Sequence, residues 1–183
     1  MLFIALIVLV AMTLASIALV RSVDTATLGA GNIAFKQSAT QAAEQAVSAA
    51  LAQFDPAAGA FFATLANTQG DNTAYNYRAS MLPTDARGIP LALLNATTFD
   101  ATYTAPALPA TTTGETLRYV IERLCTQPGA SDQSYCNVDQ VLPTGGTVGN
   151  GASLGDTVPL YRVTVRADGP RNTLQFTQVV FRP

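Results

Sequence analysis

The feature that most constrains this chain is an apolar run that occupies its first twenty residues, from Met1 to Val20. The run contains no charged residue, its only polar side chains are Thr13 and Ser16, and the first charge is Arg21. Twenty residues of α-helix are about 30 Å long, which is the thickness of the hydrocarbon core of a bilayer. The run therefore predicts a helix that resides in a membrane at some stage of the protein's life.

The start of the run distinguishes it from a cleavable secretory signal. Such a signal has a basic segment before a shorter apolar stretch and ends at a small-residue cleavage site. Here nothing basic precedes the run, which begins at residue 1. Two explanations are open: an anchored protein translated from Met1, or a mature chain from which a basic leader has been removed.

A helical pattern continues past the apolar run and changes character. Beyond residue 34, apolar residues recur at spacings of three and four, which places them on one face of an amphipathic helix. These residues are Phe35, Ala39, Ala42, Ala43, Ala46, Val47, Ala50, Leu51 and Phe54. Asp55-Pro56 ends the pattern, because the residue before a proline disfavours the α conformation. We predict a long helix over 1–54, with a membrane or filament-core half over 1–28 and an amphipathic half over 32–54.

Two glycines, Gly29 and Gly31, interrupt the helical pattern between its halves. Each costs about 1 kcal/mol relative to alanine in a helix interior. They indicate either a flexible joint between two helices, or a site where the helix bends or where neighbouring chains approach closely.

Residues 55–115 differ in composition, being rich in Ala, Thr, Asn, Gly and Pro with few charges. Their prolines predict a variable region of loops with short strands. The exception is a short helix at 60–66 with its phenylalanines facing inward. Asn95 begins a glycosylation sequon, but a pattern so short often arises by chance.

Three later segments have the alternation of β-strands. They are residues 117–124, 160–167 and 172–182. A compact turn at 168–171 joins the last two, which should form an antiparallel hairpin. A sheet with one apolar face needs a cover, and the apolar stripe of the helix is the candidate. The predicted fold class is α+β, with the long N-terminal helix packed on a small C-terminal antiparallel sheet within 116–183.

Cys125 and Cys136 bracket ten residues directly after the first predicted strand. In an exported domain such a pair is most simply one structural disulfide, which closes a loop over 125–136. Closing so short a loop stabilises a fold by about 2–3 kcal/mol. A redox-active pair is the alternative, but the spacing is not C-x-x-C, and no neighbouring His or Lys is present to activate a thiol.

The composition argues against catalysis, metal binding and nucleic-acid binding. The chain has no histidine, which removes the usual general base, and two cysteines alone cannot build a standard zinc site. Ten basic and twelve acidic residues give a net charge of -2 rather than a basic face. A G-x-S-x-G match at 151–155 lies in a glycine-rich loop without a base and is coincidental. We predict no cofactor, no metal site, no nucleic-acid partner and no enzymatic activity.

The layout resembles that of a mature type IV pilin. More specifically, PilX-type pilins of Gram-negative bacteria have an N-terminal segment similar to LFIALIVLVAMTLASIALVRSVDTATLGAGNIAFKQSATQAAEQAV. Their C-terminal segments are similar to LRYVIERLC and YRVTVRADGPRNT. The resemblance covers both ends of the chain, close to half of it, and leaves residues 55–115 uncovered.

The resemblance implies a pilin-like fold and the role of a structural filament subunit. Pilins are made with a short basic leader that a prepilin peptidase removes, and the new N-terminal residue, here Met1, is usually methylated. They wait in the inner membrane with the head in the periplasm. The pilus assembly machinery then polymerises them, with themselves or with other pilins, into an extracellular helical filament whose outer surface is used in adhesion.

In such filaments the apolar helices pack together in the core. The resemblance assigns this packing role to Leu2, Phe3, Ile4, Leu6, Ile7, Leu9, Val10, Leu14, Ile17 and Val20. By analogy, Gly29 and Gly31 take the flexing role that a proline has in other pilins. A head-to-tail contact of this kind does not close on itself, so it produces a helix rather than a ring.

One position departs from the family pattern. Major pilins usually carry a glutamate at the fifth mature position, which pairs with the N-terminal amine of a neighbour, whereas this chain has Ala5. Members without that acid are often minor subunits or lie at the filament tip. Major and minor roles therefore both stay open.

A second hypothesis is an exported binding module that is tethered to the inner membrane and never polymerises, such as a chaperone or an adhesin on a helical stalk. A leader ending in glycine just before Met1 in the gene would favour the pilin, because a simple anchor does not need that cleavage. An enzyme is the third possibility, and no spacing of acidic residues argues for a catalytic cleft.

Overall fold

The structure is a computed structural model of the chain and describes residues 1–55, 61–62, 64–105, 108, 111, 114–140 and 157–183. The chain divides into two compact units, Met1–Ser38 and Ala39–Pro183. We call the second unit the head. The first unit is helical, and the head contains the end of that helix together with all the described strands. This division falls inside the helix, and the predicted divisions after residues 54 and 115 stay predictions.

A single helix, α1, spans Leu2–Ala52. It runs through Gly29 and Gly31 without a break, so the structure has one continuous helix where the sequence also allowed two helices with a joint. Flexing at the two glycines stays a prediction. The helix ends shortly before Asp55, as expected from the restriction that Pro56 places on the preceding residue.

Six strands follow α1 in the described part of the chain. In chain order they are β1 (Tyr77–Arg78), β2 (Thr116–Arg123), β3 (Val138–Gln140), β4 (Thr157–Pro159), β5 (Tyr161–Gly169) and β6 (Thr173–Phe181). One sheet has the strand order β1-β2-β5-β6, and β3 and β4 form a separate antiparallel pair. The three predicted strands correspond to β2, β5 and β6, and their ends differ from the prediction by at most two residues.

The central strand of the larger sheet is β5, which pairs antiparallel with β2 and β6 in the registers Ile121↔Val163 and Val163↔Val179. A tight turn at Pro170–Asn172 joins β5 to β6, with Arg171 at a φ of 55°. The predicted hairpin is confirmed. The sheet is mixed rather than wholly antiparallel, because the two-residue strand β1 pairs with β2 in parallel. So short a strand leaves no alternation in the sequence.

One face of this sheet packs against the C-terminal part of α1. The helix side of the core consists mainly of small residues, Ala39, Ala43, Ala46 and Ala50, which are at most 1% exposed, together with Val47. The strand side consists of larger ones: Tyr77, Tyr119, Ile121, Tyr161, Val163 and Val165. The amphipathic stripe that was predicted to cover the sheet is confirmed, and with it the α+β fold class.

Two short helices cover part of the opposite face of the sheet. They are α2 (Leu91–Leu94) and α3 (Ala96–Thr102), whose residues Leu93 and Phe99 pack with Val120 of β2 in a second buried cluster. These helices correct the expectation of loops with short strands in this region. Helices of four and seven residues are too short for hydrophobic periodicity to reveal them.

The short helix expected at 60–66 lies partly outside the described residues. Phe61 and Phe62 are half-buried and pack against the core between α1 and the sheet, as the sequence indicated. The first helical element described after α1 is a 3₁₀ turn at Leu65–Gln69. The glycine-rich loop with the G-x-S-x-G match lies outside the described residues.

Asn95 begins the sequon and also caps α3. Its side-chain oxygen accepts a hydrogen bond from the Thr98 N–H at 3.1 Å, which satisfies one of the free donors at the start of the helix. This local contact explains an asparagine at this position, and glycosylation stays untested.

Candidate assembly surface

The apolar run at the start of α1 leaves its large side chains uncovered. Each of the ten predicted filament-core residues is between 46% and 83% exposed. The helix is long and apolar enough to cross a membrane, and none of its most apolar stretch is buried by the rest of the chain. The core helix of a soluble protein would be mostly buried, whereas this exposure is typical of a helix that lies in lipid or against other chains.

The two hydroxyl groups within the apolar run are satisfied by the helix itself. Thr13 Oγ1 donates a hydrogen bond to the Val10 carbonyl oxygen at 2.8 Å, and Ser16 Oγ donates one to that of Met12 at 2.9 Å. In an apolar environment a hydroxyl without a partner is costly. These two side chains therefore do not oppose the transfer of the run into lipid or into a bundle of helices.

The apolar surface continues beyond the membrane-length run. Val23, Leu28 and Ile33 are 54%, 61% and 59% exposed. Successive members of this set are five residues apart, which places them about 140° apart around the helix axis. The helix between residues 21 and 34 is thus apolar on several sides. Val23 and Leu28 belong to the predicted membrane or filament-core half over 1–28, whereas Ile33 lies beyond it.

Gly29 and Gly31 are not explained by packing within the chain. A Cβ atom at either position would meet no atom within 4 Å. Each glycine lowers helix stability by about 1 kcal/mol relative to alanine, and no internal contact offsets that loss. Bending of the helix and close approach of a neighbouring chain are the interpretations that agree with this geometry.

Met1, the predicted site of processing and methylation, precedes the first turn of α1 and is fully exposed. Its carbonyl oxygen accepts a hydrogen bond from the Ala5 N–H at 3.3 Å. Ala5 itself is exposed and offers no group that pairs with an amine. Processing and methylation at Met1 stay predictions.

The predicted disulfide between Cys125 and Cys136 is confirmed, with an S–S distance of 2.07 Å. The two residues form an isolated antiparallel bridge directly after β2, so the bond closes a loop at the end of the sheet. Both cysteines of the chain are used in it. The loop therefore carries a structural cross-link and no free thiol.

Arg123 is a buried cation that ties this loop to the sheet. It lies at the end of β2 and is fully buried. Its guanidinium donates hydrogen bonds to the carbonyl oxygens of Ala79 at 3.1 Å and Gly129 at 2.6 Å. The alternation in the sequence does not predict this burial, because it depends on a partner 44 residues away, Ala79, and on the path of the loop that contains Gly129.

Glu122 is a buried acid on the opposite face of β2. Its carboxylate pairs with Arg162 of β5 at 3.0 Å and accepts a hydrogen bond from the Leu82 N–H at 2.6 Å. Burial raises the pKa of Glu122 above its ordinary value, and the Leu82 and Arg162 contacts oppose that rise. The polar face that the alternation indicated on β2 is thus covered by the region between α1 and β2.

Two further arginines fasten that covering region to the sheet. Arg118 pairs with Asp100 of α3 at 2.7 Å, and this hydrogen bond holds the pKa of Asp100 below its ordinary value. Arg166 donates a hydrogen bond to the Leu93 carbonyl oxygen at 2.8 Å. Asp168 accepts from both guanidinium groups, at 2.8 Å from Arg118 and 2.7 Å from Arg166. The network joins helices to strands and is explained by the fold.

No described group of three or more His, Cys, Asp or Glu side chains is arranged to hold a metal ion. The charged clusters described above all make contacts within the head. The large apolar side chains of α1 between Leu2 and Ile33 are exposed, and we take them as the candidate functional surface.

Comparisons with known proteins do not identify the chain. No family model matches it. Searches of curated proteins and of solved structures found no significant match.

Proposed function

We propose that the chain is a structural subunit of an extracellular type IV pilus filament, of the PilX type. It resides first in the inner membrane with its head in the periplasm, and it then polymerises with itself or with other pilins through the apolar part of α1. The head forms the outside of the fibre and serves adhesion or assembly. The proposed role includes no enzymatic activity.

The observation that carries the proposal is the apolar surface beyond Arg21. A bilayer core covers about 20 helical residues, so lipid accounts for Met1–Val20 but leaves Val23, Leu28 and Ile33 uncovered. Because these three lie at different angles around the axis, a single neighbour cannot cover them. Exposed apolar side chains on several sides of a helix are typical of a position between several neighbouring helices.

The energy available from this surface favours association. Burying one Val, Leu or Ile side chain fully contributes about 1.5–3 kcal/mol. Val23, Leu28 and Ile33 together thus supply several kcal/mol per subunit outside the membrane, where water is the alternative environment. A simple membrane tether would leave these side chains in water.

Ala5 bears on the kind of subunit. It offers no carboxylate to the N-terminal amine of a neighbour, so the contact made by most major pilins is missing. Major and minor roles both stay open, and the amount of the chain in the fibre measures which role it has.

The first test is electron microscopy and mass spectrometry of filaments sheared from the producing cell. The proposal expects this chain in the filaments, with its mature N-terminus at Met1. Trace amounts beside another pilin would indicate a minor or tip subunit, and a dominant amount would make Ala5 compatible with a major one. A chain found only in the membrane fraction would favour the tethered binding module instead.

A matched pair of variants tests whether the apolar surface beyond Arg21 is used in assembly. Leu28→Asp should remove the chain from sheared filaments and leave it in the membrane, because the carboxylate enters the packed helices. Leu174→Asp makes the same change at an exposed leucine of the head and should leave incorporation unchanged. Equal incorporation of both variants would contradict packing through the segment after Arg21.

A further inference from the structure

Arg21 and Asp24 are the only charged residues of α1 before Lys36. Both are exposed, and only their backbone takes part in the described contacts. The Arg21 carbonyl oxygen accepts from the Thr25 hydroxyl, and that of Asp24 accepts from the Thr27 hydroxyl. Neither charged side chain has an ion pair or hydrogen-bond partner among the residues the structure describes.

The surroundings of the two charges are apolar. Ile17 and Leu28 are 54% and 61% exposed and lie on the same side of the helix as the two charges, one turn before Arg21 and one turn after Asp24. Arg21 and Asp24 are three residues apart, so they lie about 60° apart around the axis and about 4.5 Å apart along it. A neighbour that covers Ile17 and Leu28 therefore also covers both charges.

Covering an isolated charge removes its water and is strongly unfavourable unless an opposite charge and hydrogen bonds replace that water. The chain does not pair Arg21 with Asp24 internally. A second copy offers both signs at the same place on the same helix. Parallel helices at equal height bring Arg21 opposite Arg21, whereas a shift along the axis brings Arg21 opposite Asp24.

We infer that Arg21 of one copy pairs with Asp24 of a neighbouring copy, and that this pair sets the axial shift between adjacent subunits. The inference rests on the proposed polymerisation through α1 and names the partner as a second copy of this chain. The guanidinium suits this role, since its planar fork binds a carboxylate with two hydrogen bonds and fixed geometry. A constant shift from one subunit to the next produces a helical array and not a flat ring.

Charge exchange in the full-length chain tests the pair. Arg21→Asp and Asp24→Arg alone should each lower the amount of this chain in sheared filaments by about tenfold or more, because like charges then meet in the bundle. The double exchange R21D/D24R restores both signs and should return incorporation to within about threefold of the unmodified chain. Glu44→Arg, a charge reversal at an exposed position of α1 in the head, is the matched control and should change incorporation by less than about twofold.

Cysteine cross-linking measures the same contact without relying on assembly yield. Both native cysteines are in the disulfide, so an introduced cysteine is the one free thiol. Copies carrying Arg21→Cys and copies carrying Asp24→Cys, with different tags, are expressed together and oxidised in the membrane and in filaments. The inference expects more 21–24 cross-links than 21–21 or 24–24 cross-links.

The outcomes separate the inference from the proposed function. If the unmodified chain assembles but the double exchange does not recover, or 21–21 cross-links dominate, the pairing is wrong while polymerisation stands. If the unmodified chain neither enters filaments nor cross-links to a second copy, both are overturned. Recovery by the double exchange together with dominant 21–24 cross-links supports the pair.

Discussion

The two parts of α1 differ in what covers their apolar side chains. Before Ser38 the helix exposes large residues such as Ile17 and Leu28, whereas after Ala39 it buries small ones such as Ala43. Inside the head the sheet supplies the large side chains, so the helix contributes small ones that let it lie close. Before Ser38 no sheet packs on the described helix surface, and the helix itself carries the large side chains. The comparison separates folding of the head from association of the chain.

The largest effect is expected from a charge in the buried stripe. Ala43→Asp places a carboxylate at a position that is 0% exposed, and burying an unpaired charge costs more than about 4 kcal/mol. The head should lose cooperative thermal unfolding, measured by the near-UV circular dichroism of its tyrosines in the detergent-solubilised full-length chain. Ala18→Asp, at an exposed position of the apolar run, should leave the unfolding midpoint of the head unchanged. Similar losses in both variants would contradict the comparison.

The second largest effect is expected from shortening an isoleucine side chain in the head, compared with the same change in the first unit. Ile121→Ala opens a cavity at a fully buried position and should lower the free energy of unfolding of the head by about 2–5 kcal/mol. Ile17→Ala, at a position that is 54% exposed, should change it by less than about 0.5 kcal/mol. Urea unfolding followed by tyrosine fluorescence measures both, since the chain contains no tryptophan. A large effect of Ile17→Ala would mean that the first unit stabilises the head.

Removing the disulfide should have a smaller effect, confined to the head. The double variant Cys125→Ser, Cys136→Ser should lose about 2–3 kcal/mol, as expected for a short closed loop. The Arg123 contact to Gly129 remains, so the Gly129 N–H, which donates to the Gln69 carbonyl oxygen at 2.9 Å, should keep part of its protection from hydrogen exchange. Complete loss of that protection would contradict the anchoring role of Arg123. Exchange in α1 before Ser38 should not change.

The smallest effect is expected on the pH dependence of the stability of the head. Because the pKa of Glu122 is raised by folding, its contribution to stability is greatest below the ordinary pKa of 4.5 and is lost as pH rises through the raised value. The stability of the unmodified chain minus that of Glu122→Gln should therefore fall as pH rises from 4.5, measured by thermal unfolding at a series of pH values. If this stability difference rose with pH, the ion pair with Arg162 would lower the pKa of Glu122 by more than burial raises it.

Much of the fold was accessible from local sequence pattern. The apolar run, the stripe at Ala39–Ala50, the alternation in β5 and the turn at Pro170–Asn172 each depend on residues close together in the chain. These elements were predicted within two residues of their observed ends. The disulfide was predictable as well, because the chain contains a single pair of cysteines.

The remaining features depend on contacts between distant segments. α2 and α3 are too short to form a visible pattern and are held on the sheet by Arg118 and Arg166. The burial of Glu122 and Arg123 follows from the chain that passes over β2, including Ala79 and its neighbours. Val23 and Leu28 were in the predicted membrane or filament-core half, whereas the exposure of Ile33, beyond residue 28, is known only from the structure.

The sequence by itself determined that the chain has a helix of membrane length, three long strands and one disulfide, because chain geometry and residue pattern decide these locally. Only the tertiary structure decided which apolar residues are covered. Ala18 and Ala43 have the same side chain in the same helix, yet one is exposed and the other is buried. The difference arises because the sheet brings residues far away in sequence, such as Ile121 and Val163, into the same core as Ala43, and burial depends on such partners rather than on the residue itself.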